Sequence, residues 1–393
     1  MRLFAGMADI PADTWDRLLC LANGGVLHPA LRHAYMAALE TSGSACAQTG
    51  WVPRHLGLLL DERLVAVAPL YVKSHSYGEY VFDWAWAQAY EQHGLDYFPK
   101  LLSAIPFTPV FGPRLLAEDA DTRRALLQAL LGLAEQAAHD PSVLGVRISS
   151  WHGLFFDAQD QAAVPDQACL RRQSVQFHWK NHSPRSGRPY SSFDDFLEQL
   201  QQKKRKNIRA EIRKVSEANV VVRAVEGSVA SIEDWDFFYA CHCNTYAQRG
   251  SRPYLTRAFF HRLATEMPDQ IVLFIAWRGG ARVAASLCLH DTHAMYGRYW
   301  GYREDIPCLH FETAYYAPLR WAIDRGLLTF EGGAQGEHKW ARGFEPTTAV
   351  SYHWLAHPDF NDAVERYLAR EDVGVARYID ELQEHSPFKG AGG

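Results

Sequence analysis

A glycine-rich stretch, residues 328–346, carries the residue types best suited to chemistry. It reads LTFEGGAQGEHKWARGFEP, and within it Glu337, His338, Lys339 and Arg342 follow closely spaced glycines. Glycine lets backbone amides approach a ligand closely. A carboxylate, an imidazole and cations can move a proton and stabilise a developing negative charge. A polar surface loop with a salt bridge is the plainer alternative. Because the stretch follows a predicted strand, where α/β sheets tend to place ligands, we favour a site.

These four side chains suggest distinct roles. A site with these groups needs one that accepts a proton and one that stabilises a developing negative charge. Glu337 is the first candidate for the proton acceptor. His338 is the second, because its imidazole titrates nearer neutrality. Arg342, three residues after Lys339, could hold a phosphate or join the charge-stabilising group.

A basic segment, residues 203–214 (KKRKNIRAEIRK), is the second candidate, with seven cations and one acid. On a helix, Lys206, Arg209 and Arg213 would share one face, and three aliphatic residues would share the opposite one. A solvated face over a docked apolar stripe is equally consistent with this pattern. Such a cluster in a chain of net charge −5 favours a phosphate-bearing ligand, so we predict donor binding by these three residues.

An aromatic and polar block, residues 73–90, is the third candidate. Charged and polar groups there need partners if they are buried. We expect Tyr77 and Glu79 to face solvent in a substrate cleft, with Trp84 and Trp86 packed beneath them. A strand over 82–86 would place Phe82, Trp84 and Trp86 on one face and Asp83 on the other. The predicted substrate-binding residues are Lys73, His75, Tyr77, Glu79, Asp83, Trp86 and Arg342.

Composition limits the class of protein. The 393 residues suggest two domains, and 48% hydrophobic content is ample for their cores. A net charge of −5 argues against bulk nucleic-acid binding. Seven cysteines without a paired framework indicate reduced thiols, and Cys241-His242-Cys243 fits a buried helical pair better than a metal site. We predict no metal, no membrane span and a cytoplasmic location.

Periodicity and turn residues place these groups on elements. A polar linker at residues 181–189 separates two predicted domains, 1–183 and 190–393. The second half reads as helices, then a hairpin, a further strand, a helix and a last strand leading into residues 328–346. Strands are predicted at 56–60, 64–71, 143–149, 177–179, 220–225, 271–277, 283–289, 295–301 and 328–330. Helices are predicted at 15–21, 31–39, 90–102, 122–138, 193–200, 203–215, 235–246, 256–266, 311–325 and 358–383.

Two stretches also carry a resemblance. Residues 331–339 (EGGAQGEHK) and 342–346 (RGFEP) resemble the signature of the bacterial FemA/FemB-like N-acyltransferases. That family is also labelled peptidoglycan biosynthesis/recognition and belongs to the GNAT-like superfamily. The aromatic block, with residues 106–109 and 112–114, is similar to the same family. The resemblance therefore runs from about residue 51 to about residue 358.

The resemblance implies a fold and a reaction. The fold would be α/β (α+β), with two tandem GNAT-like domains and mixed, mostly antiparallel sheets. The first domain would hold the acceptor. The reaction would form an amide on an amine, with aminoacyl-tRNA as donor, a peptidoglycan-precursor-like acceptor and no tightly bound cofactor. Lys339 matches a lysine thought to stabilise the charge of the transfer step in related transferases.

Two other functions stay open. An acyl-CoA-dependent enzyme acting on a small amine would carry a glycine-rich turn for the pyrophosphate. The residues after the predicted strand 295–301 are Tyr302, Arg303, Glu304 and Asp305 instead, which favours the aminoacyl donor. The third possibility is a non-catalytic module that recognises cell-wall precursors. The sequence does not fix the oligomeric state.

Overall fold

A computed structural model describes residues 1–333 and 336–389, which fall into two compact units. Unit 1 comprises Met1–Val175 and Thr348–Tyr378, and unit 2 comprises Gln176–Thr347 and Ile379–Gly393. The domain limits 1–183 and 190–393 remain a prediction. The two compact units are divided differently, because residues 348–378 group with the first unit.

The described residues contain strands of two to eleven residues. They are β1 Arg2–Phe4, β2 Trp51–Pro53, β3 His55–Leu60, β4 Arg63–Ala68, β5 Tyr71–Lys73, β6 Lys100–Ser103, β7 Leu116–Ala117, β8 Ser150–Gly153, β9 Leu170–Lys180, β10 Val220–Glu226, β11 Ile271–Arg278, β12 Ala281–His290, β13 Ala294–Tyr302, β14 Thr329–Glu331 and β15 Glu345–Leu355.

Helices alternate with these strands. They are α1 Ala12–Ala22, α2 His33–Thr41, α3 Trp84–Gln92, α4 Ala120–His139, α5 Ala158–Ala163, α6 Phe193–Gln199, α7 Gln202–Glu217, α8 Ile232–Ala247, α9 Arg257–Glu266, α10 Leu309–Phe311, α11 Ala317–Asp324 and α12 Pro358–Glu384. Among the described residues, no helix combines the length and the apolar character that crossing a bilayer requires.

Unit 1 contains two sets of paired strands. One sheet has the order β1-β3-β4-β7, and a second set pairs β2, β5, β6 and β8 in that order. Leu126, Leu127 and Leu130 of α4 are fully buried in an apolar cluster with residues of β3, β4 and β8. The regular i, i+3, i+4 spacing of leucines in α4 produces this buried face. The side chain of Asp119 caps the helix by accepting from the amide of Thr122.

Unit 2 is built on the strand order β10-β11-β12-β13-β14-β9. The pairs are antiparallel except β13 with β14, which is parallel. Residues 271–276 of β11 are all buried, as their continuous apolar sequence requires. The predicted fold class, α/β with mixed and mostly antiparallel sheets, is confirmed, and so is the predicted order of elements in the second half.

Three local predictions are wrong. Residues 82–86 are not a strand, because α3 begins at Trp84, and the helix predicted at 90–102 contains strand β6 instead. The alanines between the aromatic residues favour a helix, on which Trp86 and Tyr90 share the buried face at i, i+4 spacing. The strand predicted at 143–149 lies further along the chain, as β8.

Candidate active site

The glycine-rich stretch joins the end of β14 to a helical turn, Glu337–Arg342. Ala334 and Gln335, which belong to the family-like signature, lie outside the described residues. Two glycines are required by close packing. A Cβ on Gly332 would lie 3.1 Å from Cδ of Lys339, and one on Gly343, at φ +82°, would lie 2.8 Å from Phe196. These glycines therefore allow the turn to lie against the end of the strand.

Lys339 is buried inside this loop. Its Nζ donates a hydrogen bond to the carbonyl oxygen of Gly333 at 2.7 Å, and no carboxylate in the described part of the chain pairs with it. Burial lowers the pKa of the Lys339 amine from 10.5 to about 7. The loop thus holds an amine whose protonated and neutral forms are both populated near neutral pH.

His178 is a second titratable group near this lysine. It lies on β9 opposite Glu331 of β14 and is buried. Burial, with a smaller contribution from the charge of Lys339, lowers the pKa of His178 to about 3. A neutral imidazole therefore lies within electrostatic range of Lys339, with its Nε2 3.2 Å from Oε1 of Gln176. This histidine was not predicted from the sequence, because Lys339 is distant from it along the chain.

Arg342 anchors the turn. Its guanidinium donates to the Glu211 carboxylate at 2.8 Å and to the Tyr316 hydroxyl at 2.8 Å, and the Tyr316 hydroxyl donates to the same carboxylate. A third donor reaches the backbone oxygen of His338 at 2.7 Å. The guanidinium carbon also lies 3.4 Å from the ring centroid of Phe311. Since three of its nitrogens already have partners, Arg342 is placed to position the loop.

His338 is half-exposed at the rim of the loop. Its Nε2 lies 3.1 Å from the hydroxyl of Tyr315. Burial, followed by the charge of Lys339, lowers the pKa of His338, so its imidazole is neutral at pH 7. Glu337 is exposed at the start of the turn. Of the two predicted proton acceptors, His338 is thus the one next to an aromatic hydroxyl.

A cavity of about 360 Å³ lies within unit 2. Trp300, His310 and Phe311 form part of its wall, and the charged residues Arg249, Glu304 and Asp305 also line it. The rings of His310 and Trp300 stack at 5.1 Å with an angle of 17°. The rings of His310 and Phe311 lie 5.9 and 5.8 Å from the imidazole of His338. Two residues of the cavity wall thus contact His338, whereas Lys339 does not line the cavity.

The basic segment forms α7 with the predicted orientation. Lys206, Arg209 and Arg213 are exposed, while Ile208 and Val215 are buried on the other side. Arg209 pairs with Asp194 at 3.3 Å and Arg213 with Glu217 at 3.5 Å, both at the surface, where such pairs contribute little. The same helix supplies Glu211 to Arg342, a link that the sequence analysis missed.

The predicted acceptor residues lie in unit 1, around a buried lysine, Lys100. Its ammonium group donates to Ser76 at 2.9 Å, Glu79 at 2.8 Å and Asp83 at 2.5 Å. The prediction that Glu79 faces solvent is wrong, because its side chain is buried against Lys100. An ion pair formed deep in a core compensates the loss of hydration, and hydropathy alone does not reveal it.

The burial of the aromatic residues in the block differs in part from the prediction. Tyr77 is 53% exposed, as predicted, but Trp84 is 43% exposed and not packed beneath it. Their rings are in contact at 5.1 Å. Trp86 is buried, as predicted. The helical start at Trp84 explains the difference, since residues two apart on a helix do not share a face.

Lys73 is a second buried lysine of unit 1. Its Nζ lies 3.8 Å from the ring centroid of Trp51, 3.4 Å from Nδ1 of His75 and 3.3 Å from the backbone oxygen of Tyr77. Burial lowers the pKa of Lys73 to about 7 and raises that of Glu79 to about 7. The block is therefore an electrostatically coupled group of buried side chains.

The sequence analysis missed the histidines that extend this network. His152 of β8 and His353 of β15 approach within 2.6 Å through their Nδ1 atoms, and Nε2 of His152 lies 3.2 Å from the hydroxyl of Tyr97. Burial holds the pKa of both imidazoles well below the usual range. Tyr97 in turn donates to Asp83 at 2.6 Å. These histidines lie 201 positions apart, so their proximity is a property of the fold.

The chain belongs to the FemAB-like family, described as peptidoglycan biosynthesis/recognition, whose family model matches residues 6–390. The resemblance found in residues 331–346 is thereby confirmed. No protein of curated function matches the sequence. The family connects the chain with peptidoglycan biosynthesis or recognition.

Comparison with solved structures shows the fold. The C-terminal domain (DUF2156) of a putative lysylphosphatidylglycerol synthetase from Agrobacterium fabrum is similar, with a TM-score of 0.52, 8% identity and coverage of 91% of this chain and 95% of that one. FemX gives 0.49, 11% identity and coverage of 93% and 100%. A tandem GNAT protein from the clavulanic acid biosynthesis pathway gives 0.45, 11% identity and coverage of 91% and 98%.

Proposed function

We propose that this protein is an N-acyltransferase that forms an amide on an amine acceptor. The proposed donor is aminoacyl-tRNA and the proposed acceptor is a peptidoglycan-precursor-like molecule. One observation carries the proposal: the buried amine of Lys339 lies at a glycine-rich strand end, and the adjacent His338 contacts two rings that line a cavity. Family membership supports the same assignment.

Lys339 would act on the carbonyl oxygen. When the acceptor nitrogen bonds to the carbonyl carbon of the donor ester, negative charge develops on that oxygen. A buried ammonium group stabilises such a charge strongly, because little water competes with it. With a pKa of about 7, Lys339 is charged in a large share of molecules at neutral pH. Its hydrogen bond to Gly333 fixes the position of the group before reaction.

Proton transfer completes the step. The acceptor nitrogen must lose one proton, and the donor's ribose oxygen gains one when its bond to the carbonyl carbon breaks. We assign the first transfer to His338, which is neutral and oriented by Tyr315, and retain Glu337 as the alternative base. Arg342 would hold the turn that carries both residues, through Glu211 and Tyr316.

The segment after β13 supports the aminoacyl donor over an acyl-CoA. Residues 302–305 (YRED) lack the glycine-rich turn whose amides would hold a pyrophosphate. Asp305 lines the cavity there and would attract the ammonium of an aminoacyl group, while Glu304 pairs with Arg278 and Arg249 contributes a positive charge to the same wall. The cations on the exposed face of α7 would bind the phosphates of the tRNA.

The acceptor is assigned to unit 1 on the basis of an exposed aromatic surface. Tyr77 and Trp84 form an exposed aromatic pair, a surface that suits stacking against a sugar or peptide. Lys73, His75 and Asp83 lie in the same block and would support the segment from inside. Glu79 and Trp86 would contribute in the same way.

A transfer assay tests the proposal. The purified protein is incubated with a lipid-free peptidoglycan precursor and either a mixed pool of aminoacyl-tRNAs or a panel of acyl-CoAs, and products are analysed by mass spectrometry. We expect a precursor whose mass increases by one aminoacyl residue, and only with charged tRNA. Amide formation from acyl-CoA alone would establish the second enzyme class. Precursor binding without any product would indicate a recognition module.

A further inference from the structure

A cavity of about 530 Å³ lies between α3 and the first half of α12, within unit 1. Its walls are mainly apolar and include Ala89, Phe360, Ala363 and Val364. The ring of Phe360 packs against Tyr90 of α3 at 4.0 Å, which fixes one side of the cavity. Of the residues assigned to the transfer reaction, only Trp86, which supports the acceptor segment from inside, lines this space, so the cavity lies outside the proposed transfer site.

One end of the cavity presents a guanidinium group. Arg370 lines the cavity and forms no ion pair among the residues described. The next residue, Glu371, pairs with Arg172 through two contacts of 2.7 Å, and the guanidinium carbon of Arg172 lies 5.2 Å from the ring of Trp86, which also lines the cavity. A guanidinium beside an apolar wall suits an anionic group of a ligand at this end.

The opposite end has a different character. His93 and His357 contact the ring of Phe360 at 5.5 and 5.3 Å, and Asp359 lines the cavity beside them. Asp359 and Arg370 lie three helical turns apart on α12, a distance of roughly 16 Å. The cavity is therefore elongated along α12, with a guanidinium at one end and a carboxylate at the other.

We propose that this cavity binds an elongated monocarboxylate with an aliphatic body. The ligand carboxylate would accept hydrogen bonds from Arg370, and the ring of Trp86 would form part of the wall at this end. Glu371 does not compete for Arg370, since its two oxygens are held by Arg172. The aliphatic body would lie along Phe360, Ala363 and Val364. Asp359 would repel a second carboxylate at the far end, which restricts the ligand to one anionic group.

Binding of saturated alkanoates tests the assignment, independently of any transfer activity. Isothermal titration calorimetry is carried out on the full chain with straight chains of about six to fourteen carbons, below their micellar concentrations. We expect affinity to rise about threefold to fourfold per methylene group and to level off near twelve carbons, where the roughly 16 Å groove ends. Alkylammonium ions of equal length should not bind, because they present a cation to Arg370.

Two variants locate the site. Arg370→Gln should weaken binding at least about tenfold, since a charged hydrogen bond is lost. Arg366→Gln is the matched control, because Arg366 is exposed on the same helix and does not line the cavity; it should bind as the parent does. Circular dichroism confirms the fold of each variant.

Three results would each overturn the assignment. These are an absence of alkanoate binding to the parent, equal affinity of the parent and Arg370→Gln, and equal binding of alkylammonium ions. If affinity keeps increasing with the length of the alkanoate and is unchanged in Arg370→Gln, the alkanoate adsorbs to an apolar surface and does not occupy the proposed site.

Discussion

At the scale of single residues, Lys339 combines burial with the absence of a neutralising carboxylate among the described residues. Lys100, also buried, shows the opposite arrangement, since Glu79 and Asp83 contact its ammonium group. The difference matters because an ion pair keeps a buried lysine charged, whereas burial alone favours its neutral form. Lys100 therefore has the surroundings of a structural residue, and Lys339 has those of a functional one.

The lowered pKa of Lys339 predicts a pH-dependent stability. Between pH 7 and pH 10.5, the unfolded chain binds more protons than the folded one at this site, because the folded pKa is about 7. The free energy of unfolding should therefore rise with pH across this window, by up to about 1.4 kcal/mol per pH unit. Lys339→Met should lose this contribution and keep the similar one from Lys73, whose pKa is also about 7, so the rise measured by urea unfolding from pH 7 to pH 10 should be smaller in the variant. Lys206→Met, at an exposed position, is the control and should retain the full rise.

At the scale of elements, α7 has two different faces that are used for different purposes. Its exposed cations face solvent. Glu211, on the same helix, accepts a hydrogen bond from Arg342 and so helps to position the turn that carries Lys339. A ligand bound to the outer face of α7 would thus contact an element that is directly joined to the candidate active site.

We predict that α7 determines the salt dependence of tRNA binding. The triple variant Lys206→Gln, Arg209→Gln, Arg213→Gln should bind tRNA more weakly, and its logarithmic salt slope should be smaller by roughly two to three. Filter binding between 50 and 200 mM salt measures both quantities. Arg124→Gln, an exposed change on α4 of unit 1, is the control. Equal slopes in the parent and the triple variant would exclude α7 from phosphate binding.

The contact between β13 and α8 predicts a large effect of one methyl group. A Cβ on Gly301 would lie 2.1 Å from the backbone oxygen of Cys241, so the helix would have to move away from the sheet. Gly301→Ala should lower the free energy of unfolding by about 1–3 kcal/mol. Gly132→Ala in α4 is the matched control, because no atom lies within 4 Å of its Cβ position; it should stabilise by about 0.5–1 kcal/mol. Thermal unfolding of both variants measures these two changes in stability.

At the scale of the whole molecule, local patterns predicted most elements and failed where distant residues meet. The apolar runs of β11 and β12 and the leucine pattern of α4 are sufficient to assign those elements. The helix at Trp84 was missed because alternating aromatic residues also fit a strand. The partners of Arg342 and Lys100 were missed because Glu211, Tyr316 and the acids of the aromatic block reach them only through the fold.

The position of the candidate site was more predictable than its chemistry. Glycines, an imidazole and cations at the end of β14 indicate a site from the sequence alone. The burial of Lys339, and hence its pKa of about 7, depends on the packing of the loop against β14 and Phe344. No short-range pattern contains that information.

The most direct test of the account is the rate of amide formation by Lys339→Met. Removing one charge-stabilising group typically costs about 3–4 kcal/mol of transition-state stabilisation, so single-turnover transfer should slow by roughly 100- to 1,000-fold. Binding of charged tRNA and of the precursor, measured separately, should change little, because the side chain acts mainly in the transition state. Transfer at a near-parent rate by a folded Lys339→Met protein would contradict the account and reduce the loop to a structural element.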